Sequence, residues 1–204
     1  MLTKKLVTLL ITVVAIGFAQ QPKADAFGLN LSSDGPYIHY LRPNIEYTQR
    51  WGNWLGLHQQ RGYIMTSQES HSRNMIVAGS AQLINFTKFF SNTRQTLNPK
   101  LEVVIAKLFK SDTLALGGGA IYQAPKGEFK YLPGDLTAEL LVTPKLTTFS
   151  SGSEYLWGFS LQADFPLPEN NQLNIGYRNY KATMEVQGHQ SVEQGLYIGL
   201  TTLF

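Results

Sequence analysis

The segment His189-Gln190-Ser191-Val192-Glu193 contains the residue types of a nucleophilic hydrolytic site. A histidine can remove the proton of a serine hydroxyl, and an acidic residue can orient that histidine. In a β-strand, a spacing of two places His189, Ser191 and Glu193 on one face. However, Gly188 just before the segment indicates a loop, and no oxyanion donor is evident nearby. We therefore expect no catalytic activity from this segment.

The remaining candidates for metal or cofactor chemistry are few. His39, His58 and His71 are too scattered in the sequence to form a metal-binding motif. The chain has no cysteine, which excludes an N-terminal lipoprotein anchor and stabilisation by disulfides. The sequence thus predicts no catalytic residues, no metal site and no cofactor.

The chain begins like a secretory signal peptide. Two lysines precede an apolar run at residues 6–18, which is shorter than the roughly 20 residues that a membrane-spanning helix needs. Ala24-Asp25-Ala26 fits the small-x-small pattern that signal peptidase recognises. We therefore predict a signal peptide over residues 1–26 and one domain over residues 27–204. Cleavage nearer Ala19 is the alternative.

The composition favours strands and argues against a nucleic-acid partner. Charged residues make up only 15% of the chain, aromatic residues reach 12%, and there are 18 glycines. Removing the signal peptide takes away three lysines and one aspartate, so the formal charge of +3 falls to +1. A nearly neutral protein has no electrostatic footprint for nucleic acid.

Alternation of apolar and polar residues is the main structural signal. From Leu136 to Leu146 every even position is apolar, and from Tyr155 to Phe165 every odd position is apolar. Leu196 to Phe204 alternates as well, and the sequence stops on Phe204. With the noisier segments and the turn-forming clusters between them, this pattern predicts an all-β, antiparallel up-and-down transmembrane barrel of about 8–10 strands.

Residue types favour a membrane barrel over a soluble one. In so narrow a barrel the inward residues should be small or polar and the outward residues large and apolar. Tyr155, Trp157 and Phe165 lie near the two ends of one strand and predict an aromatic girdle. Leu200 and Phe204 lie on the amphipathic last strand and predict the signal that outer-membrane assembly machinery recognises. The expected partners are therefore outer-membrane lipid and that machinery.

Four charged residues are candidates for a network inside the lumen. Glu139, Asp164 and Arg178 fall on inward positions, as does Lys145 if its strand extends that far. Such a network could set the selectivity of a pore. It could equally plug the barrel with mutually paired charges, and the narrow lumen favours the plug. Pro144 cannot donate to a sheet ladder, which indicates that the strand ends near Thr143.

An even number of strands would place both termini in the periplasm. Counting back from the C-terminus then makes Glu185 to Val192 and Pro144 to Glu154 outer loops. Pro166 to Asn171 becomes a tight periplasmic turn. The same count leaves Pro125 to Asp135 as an unusually long periplasmic connection.

Several short motifs after Leu114 match a known family in their order and spacing. They are Gly117-Gly118-Gly119, Thr143-Pro144 followed by 147–152, Gly176-Tyr177-Arg178-Asn179-Tyr180, and the ending from Gly195 to Phe204. In these motifs the chain resembles the YfaZ family of outer-membrane proteins. The resemblance implies a barrel in the outer membrane and supplies no catalytic residues.

The sequence as a whole predicts an outer-membrane β-barrel of a Gram-negative cell envelope, with a structural or narrow-pore role and no enzymatic activity. One alternative is an outer-membrane lipid hydrolase, which would depend on His189 and Ser191. The other is a periplasmic, lipocalin-like binding barrel, which would be soluble without detergent. The sequence does not specify the oligomeric state.

Overall fold

The computed structural model describes residues 25–43, 59–69, 72–82, 94–109, 111–150, 152–185 and 188–204. They form one antiparallel sheet whose strands, in chain order, are β1 (Ala26–Ser32), β2 (Pro36–Pro43), β3 (Gln59–Glu69), β4 (Ser72–Gln82), β5 (Thr96–Leu108), β6 (Ser111–Ala124), β7 (Asp135–Thr143), β8 (Thr148–Ser150), β9 (Ser153–Pro166), β10 (Asn171–Met184) and β11 (Gly188–Leu203). In the part of the chain that the structure describes, no helix is long and apolar enough to cross a membrane.

The sheet closes on itself. Each strand pairs with its neighbours in sequence, β1 pairs with β11, and the pairing of β7 with β9 bypasses the short strand β8. β8 only extends the edge of β6 beyond the end of β7. The described residues therefore form an up-and-down barrel of ten antiparallel strands, which confirms the predicted fold class.

Apolar side chains cover the outer face of the barrel. Directly paired outward residues form an unbroken apolar row that crosses every barrel strand except β7. The row consists of Leu114, Ile105, Val77, Ile64, Ile38, Leu29, Leu200, Leu173 and Phe165. On β7, Leu140 and Val142 are also exposed large apolar residues. The outer face of the sheet is therefore apolar around nearly the whole barrel.

The interior has three tiers along the barrel axis. At the end where β1 turns into β2, buried apolar and tyrosine side chains of the strands pack into one cluster. It consists of Tyr37, Tyr63, Met65, Ile76, Ala78, Val104, Ala106, Leu108, Ala115, Leu141, Leu156, Tyr180, Ala182, Met184 and Val192. Buried charged residues form the middle tier. Polar residues around a cavity form the third tier, at the end that holds Asp25 and Phe204.

The connection between β10 and β11 differs from the expected loop. The sequence predicted an outer loop from Glu185 to Val192, but β11 already begins at Gly188 and its ladder with β10 extends to the pair Met184 and Gly188. Gly188 has a φ of 68°, a conformation that glycine adopts without strain. The prediction was wrong because the same glycine that signalled a loop instead allows the chain to enter the strand directly.

Connections of very different length lie at the end of the barrel that holds Asp25 and Phe204. β9 and β10 are joined there by a tight turn, as the sequence predicted, and the connection at 125–134 lies at the same end. The last residues of β2 and β4 and the first residues of β3 and β5 lie there too. The rule of short periplasmic turns therefore does not fit this end of the barrel well.

Backbone hydrogen bonds close the barrel beside the C-terminus. Asp25 and Phe204 exchange two bonds, of 2.9 and 2.8 Å, one residue before β1 begins. Residues 1–24 lie outside the described residues, so the signal peptide and its cleavage after Ala26 stay predictions.

Candidate functional site

A buried group of ions crosses the middle of the lumen. Lys100 on β5 is completely buried, and its ammonium donates to Glu102 at 2.6 Å and to Glu139 on β7. Arg61 on β3 reaches the other oxygen of Glu139 at 2.5 Å. The hydroxyl of Tyr63 donates to Glu102 at 2.5 Å. Each carboxylate in this group therefore has a cation and a further donor, which is what buried charges require.

A second buried ion pair lies on the β10 and β11 wall. Arg178 donates to Glu193 at 3.1 Å, and Ser32 donates to the same carboxylate. The guanidinium of Arg178 lies 3.8 Å from the ring centroid of Tyr37 and 4.3 Å from that of Tyr197. These are cation–π contacts in a desolvated place, where they are strongest. The guanidinium of Arg61 also donates to the Tyr37 hydroxyl, so Tyr37 links the two groups.

Together these ions join opposite walls of the barrel. Arg61, Lys100 and Arg178 balance Glu102, Glu139 and Glu193, and the apolar cluster lies directly beyond them. The strands' own side chains thus fill this half of the lumen. No inserted helix or loop is needed to do so.

The other half of the lumen contains a cavity of about 430 Å³. It is lined by inward residues of most strands, including His39, Arg61, Asp135, Glu139 and Asp164, and lies at the end of the barrel that holds the described chain termini. The six ions described above are here called the charged layer. Because Glu139 and Arg61 line the cavity, this layer forms its floor. Within the described residues, no group of three or more histidine, aspartate and glutamate side chains could hold a metal ion.

A chain of hydrogen bonds runs along one wall of this cavity. The hydroxyl of Thr201 donates to the side-chain oxygen of Asn174 at 2.7 Å, and the amide of Asn174 donates to Asp164. The ring of His39 contacts the Thr201 hydroxyl at 3.3 Å. The His39 contact passes over Gly28 of β1, where an added methyl group would collide with both His39 and Thr201.

We expect Gly28→Ala to disturb this wall. The new methyl group overpacks a buried site, which typically costs about 1–3 kcal/mol of unfolding free energy. Urea unfolding of the barrel in lipid vesicles measures the change. Gly79→Ala is the matched control, because a methyl group there meets nothing within 4 Å. Equal stability of the two variants would contradict the packing described for His39 and Thr201.

The structure does not bring the four predicted lumen charges together. Glu139 pairs with Lys100 and Arg61, Arg178 pairs with Glu193, and Asp164 accepts from Gln162 and Asn174. Lys145 lies outside the lumen, because β7 ends at Thr143 before Pro144 and a short 3-10 helix follows. There it pairs with Glu154 on the exposed end of the barrel, and this hydrogen bond raises the pKa of the lysine.

The segment from His189 to Glu193 does not form a nucleophilic triad. The Nδ1 atom of His189 lies 2.8 Å from the Thr183 hydroxyl and 3.4 Å from the Tyr155 hydroxyl, on the exposed face. The register of β10 and β11 shifts between Glu193 and Ser191, so Val192 and Glu193 are both buried. Glu193 therefore turns into the lumen toward Arg178 and away from His189.

The residues predicted for the girdle and the assembly signal lie on the outer wall. Tyr155 and Phe165 lie near opposite ends of β9, and the ammonium of Lys181 lies 5.7 Å from the Trp157 ring. Leu200 and Phe204 are exposed. Their roles as a girdle and as an assembly signal stay predictions.

Sequence reasoning missed four members of the charged layer: Arg61, Lys100, Glu102 and Glu193, the last of which it grouped with His189 and Ser191. Lys100 and Glu102 alternate with the outward residue Leu101, so their inward phase is visible in the sequence. Arg61 lies in a segment with weak alternation and gives no comparable signal.

Comparisons with known proteins leave the family open. No family model and no curated protein matches the chain, so the resemblance to the YfaZ family stays a prediction. Among solved structures, the chain is similar to a "KdgM porin in complex with disordered oligogalacturonate". The similarity covers 89% of this chain and 99% of that chain, with 12% sequence identity and a TM-score of 0.33. At this TM-score, the function must be argued from the side chains of this barrel.

Proposed function

We propose that this protein is an outer-membrane β-barrel with a structural or ligand-contact role, whose lumen is closed by its own side chains. The observation that carries the proposal is the distribution of charge and apolar surface between the two faces of the sheet. Outside, the apolar row crosses every barrel strand except β7. Inside, completely buried ions face each other. This arrangement suits lipid outside the barrel and is the reverse of a soluble protein's.

The closed lumen favours a structural role over conduction. A hydrated ion that passes through would have to displace the paired ions of the middle tier and then the apolar cluster. Breaking a buried ion pair is costly because it leaves an uncompensated charge. Neither alternative function gains support. The ring of His189 contacts Thr183 and Tyr155 and not Ser191, and Phe159 and Leu161 of β9 are exposed on the outer wall.

We expect the protein to fractionate with outer membranes and to resist extraction without detergent. A folded barrel should also migrate faster on a gel when it is left unheated. In planar bilayers, the purified barrel should produce no conductance steps, while a general porin measured in parallel shows that the assay detects channels. Recovery of the protein free in the periplasm would contradict the membrane location. Discrete current steps from the wild-type barrel would contradict the closed lumen.

A further inference from the structure

Two carboxylates that line this cavity of about 430 Å³, here called the mouth cavity, have no cationic partner among the described residues. Asp135 on β7 and Asp164 on β9 are directly opposite each other in the sheet register, and both line the cavity. Asp135 accepts from the backbone N–H of Lys126 at 2.7 Å, and Asp164 accepts from two side-chain amides. Among the residues that the structure describes, neither forms an ion pair. Like charges directly opposite in a sheet are destabilising, so this pair of carboxylates favours a bound cation.

His39 supplies an independent sign of a ligand in the same cavity. Its side chain is only 2% exposed, and its Nδ1 atom has no hydrogen-bond partner. The hydrogen of the Thr201 hydroxyl is used toward Asn174, so the Nε2–H of His39 donates to Thr201. This assignment fixes the tautomer and leaves Nδ1 as a bare acceptor. A buried acceptor without a donor is costly, and it suits a ligand that brings one.

Neither arginine that lines the cavity forms an ion pair with Asp135 or Asp164 in the described residues. The guanidinium of Arg61 is engaged by Glu139 and Tyr37 on the cavity floor. Arg94 is exposed at the rim, where water screens its charge. Among the described residues of the cavity lining, Asp135 and Asp164 have no ion-pair partner and the Nδ1 atom of His39 on β2 has no donor, while the Nε–H of Arg61 on the floor has no acceptor.

We propose that the mouth cavity binds a small, water-soluble molecule that carries a primary ammonium group, held between Asp135 and Asp164. An ammonium has three N–H donors and suits several carboxylate acceptors at once. The cavity faces the inside of the barrel and therefore receives its ligand from water and not from the lipid outside the wall. Its volume of about 430 Å³ lies in the usual range for small-molecule pockets.

A metal ion fits this wall less well than an ammonium. The described residues offer no set of three or more carboxylate and imidazole ligands around the cavity. Asp164 is also held by the amide donors of Gln162 and Asn174, which compete for the lone pairs that a metal would use. The amides do not prevent a further N–H donor from approaching the second oxygen of the carboxylate.

The test is a titration of the full-length, detergent-solubilised barrel with 1,4-diaminobutane at low ionic strength, followed by calorimetry. We expect saturable binding to the wild type. Asp164→Asn and Asp135→Asn should each weaken it by about tenfold or more, since each removes one charge-assisted hydrogen bond. Glu169→Gln is the matched control, because Glu169 is exposed in the turn at the same end and does not line the cavity. It should bind like the wild type.

Three outcomes would overturn the proposal. These are no saturable binding to the wild type, equal weakening by the Glu169→Gln control, and Mg²⁺ binding as strongly as the diamine at equal ionic strength. Each variant is first checked for folding by the faster gel migration of the unheated barrel. If Asp164→Asn does not fold, the binding measured for Asp135→Asn decides the test. A barrel that fractionates with outer membranes but ignores the diamine would overturn this proposal alone and leave the proposed function standing.

Discussion

Lys100→Met is expected to lower the free energy of unfolding by about 3–5 kcal/mol, the usual cost of removing one partner from a buried ion pair. The lysine is completely buried and lies between two carboxylates. Methionine keeps most of the side-chain volume but removes the charge. Glu102 would then retain the Tyr63 hydroxyl, and Glu139 would retain Arg61, with a negative charge left over in the lumen. Urea unfolding of the barrel in lipid vesicles measures the loss.

Two further variants make this result specific. Lys145→Met removes an exposed lysine that also forms an ion pair, with Glu154, and should leave stability nearly unchanged. Lys100→Met combined with Glu102→Gln should be less destabilised than Lys100→Met alone, because the second change removes the uncompensated carboxylate. If the double variant were the less stable of the two, charge balance would not be what holds the middle tier together.

The sequence predicted the inward position of Glu139 but not the residues that pair with it across the lumen. Alternation along β7 gave the inward position of Glu139 directly, because successive side chains in a strand point to opposite faces. The partners of Glu139 lie on β3 and β5, across the lumen. Pairing across a lumen depends on strand number and stagger, which a single strand's pattern does not contain.

Two local features could not be predicted from the alternation of apolar and polar residues. A register shift at Glu193 turns two successive residues, Val192 and Glu193, into the lumen, so the stride of two from His189 fails there. At the end of β7, Pro144 stops the ladder and separates Lys145 from the inward series. The fold class was predictable because it rests on many strands at once. The contacts of the site depend on single irregular residues.

The second large effect is expected from a charged substitution on the outer face of the barrel. Ile64 is the central residue of β3, it is 45% exposed, and its paired neighbours Ile38 and Val77 are outward apolar residues too. In a membrane barrel this position faces the acyl chains near the bilayer midplane. Ile64→Arg should therefore lower the free energy of unfolding in vesicles by about 2–4 kcal/mol, as arginine does at that depth. In a soluble barrel the same arginine would extend into water at little cost.

Gln68→Arg gives the matched comparison on the same strand and the same face. Gln68 is exposed one residue before the end of β3, where an arginine side chain can reach the headgroups or water. We expect a cost of only about 0–1 kcal/mol there. The difference between the two arginines therefore measures whether the centre of the outer wall lies deeper in lipid than its end. Equal costs at positions 64 and 68 would mean that the apolar row does not face a bilayer, and the membrane location would have to be abandoned.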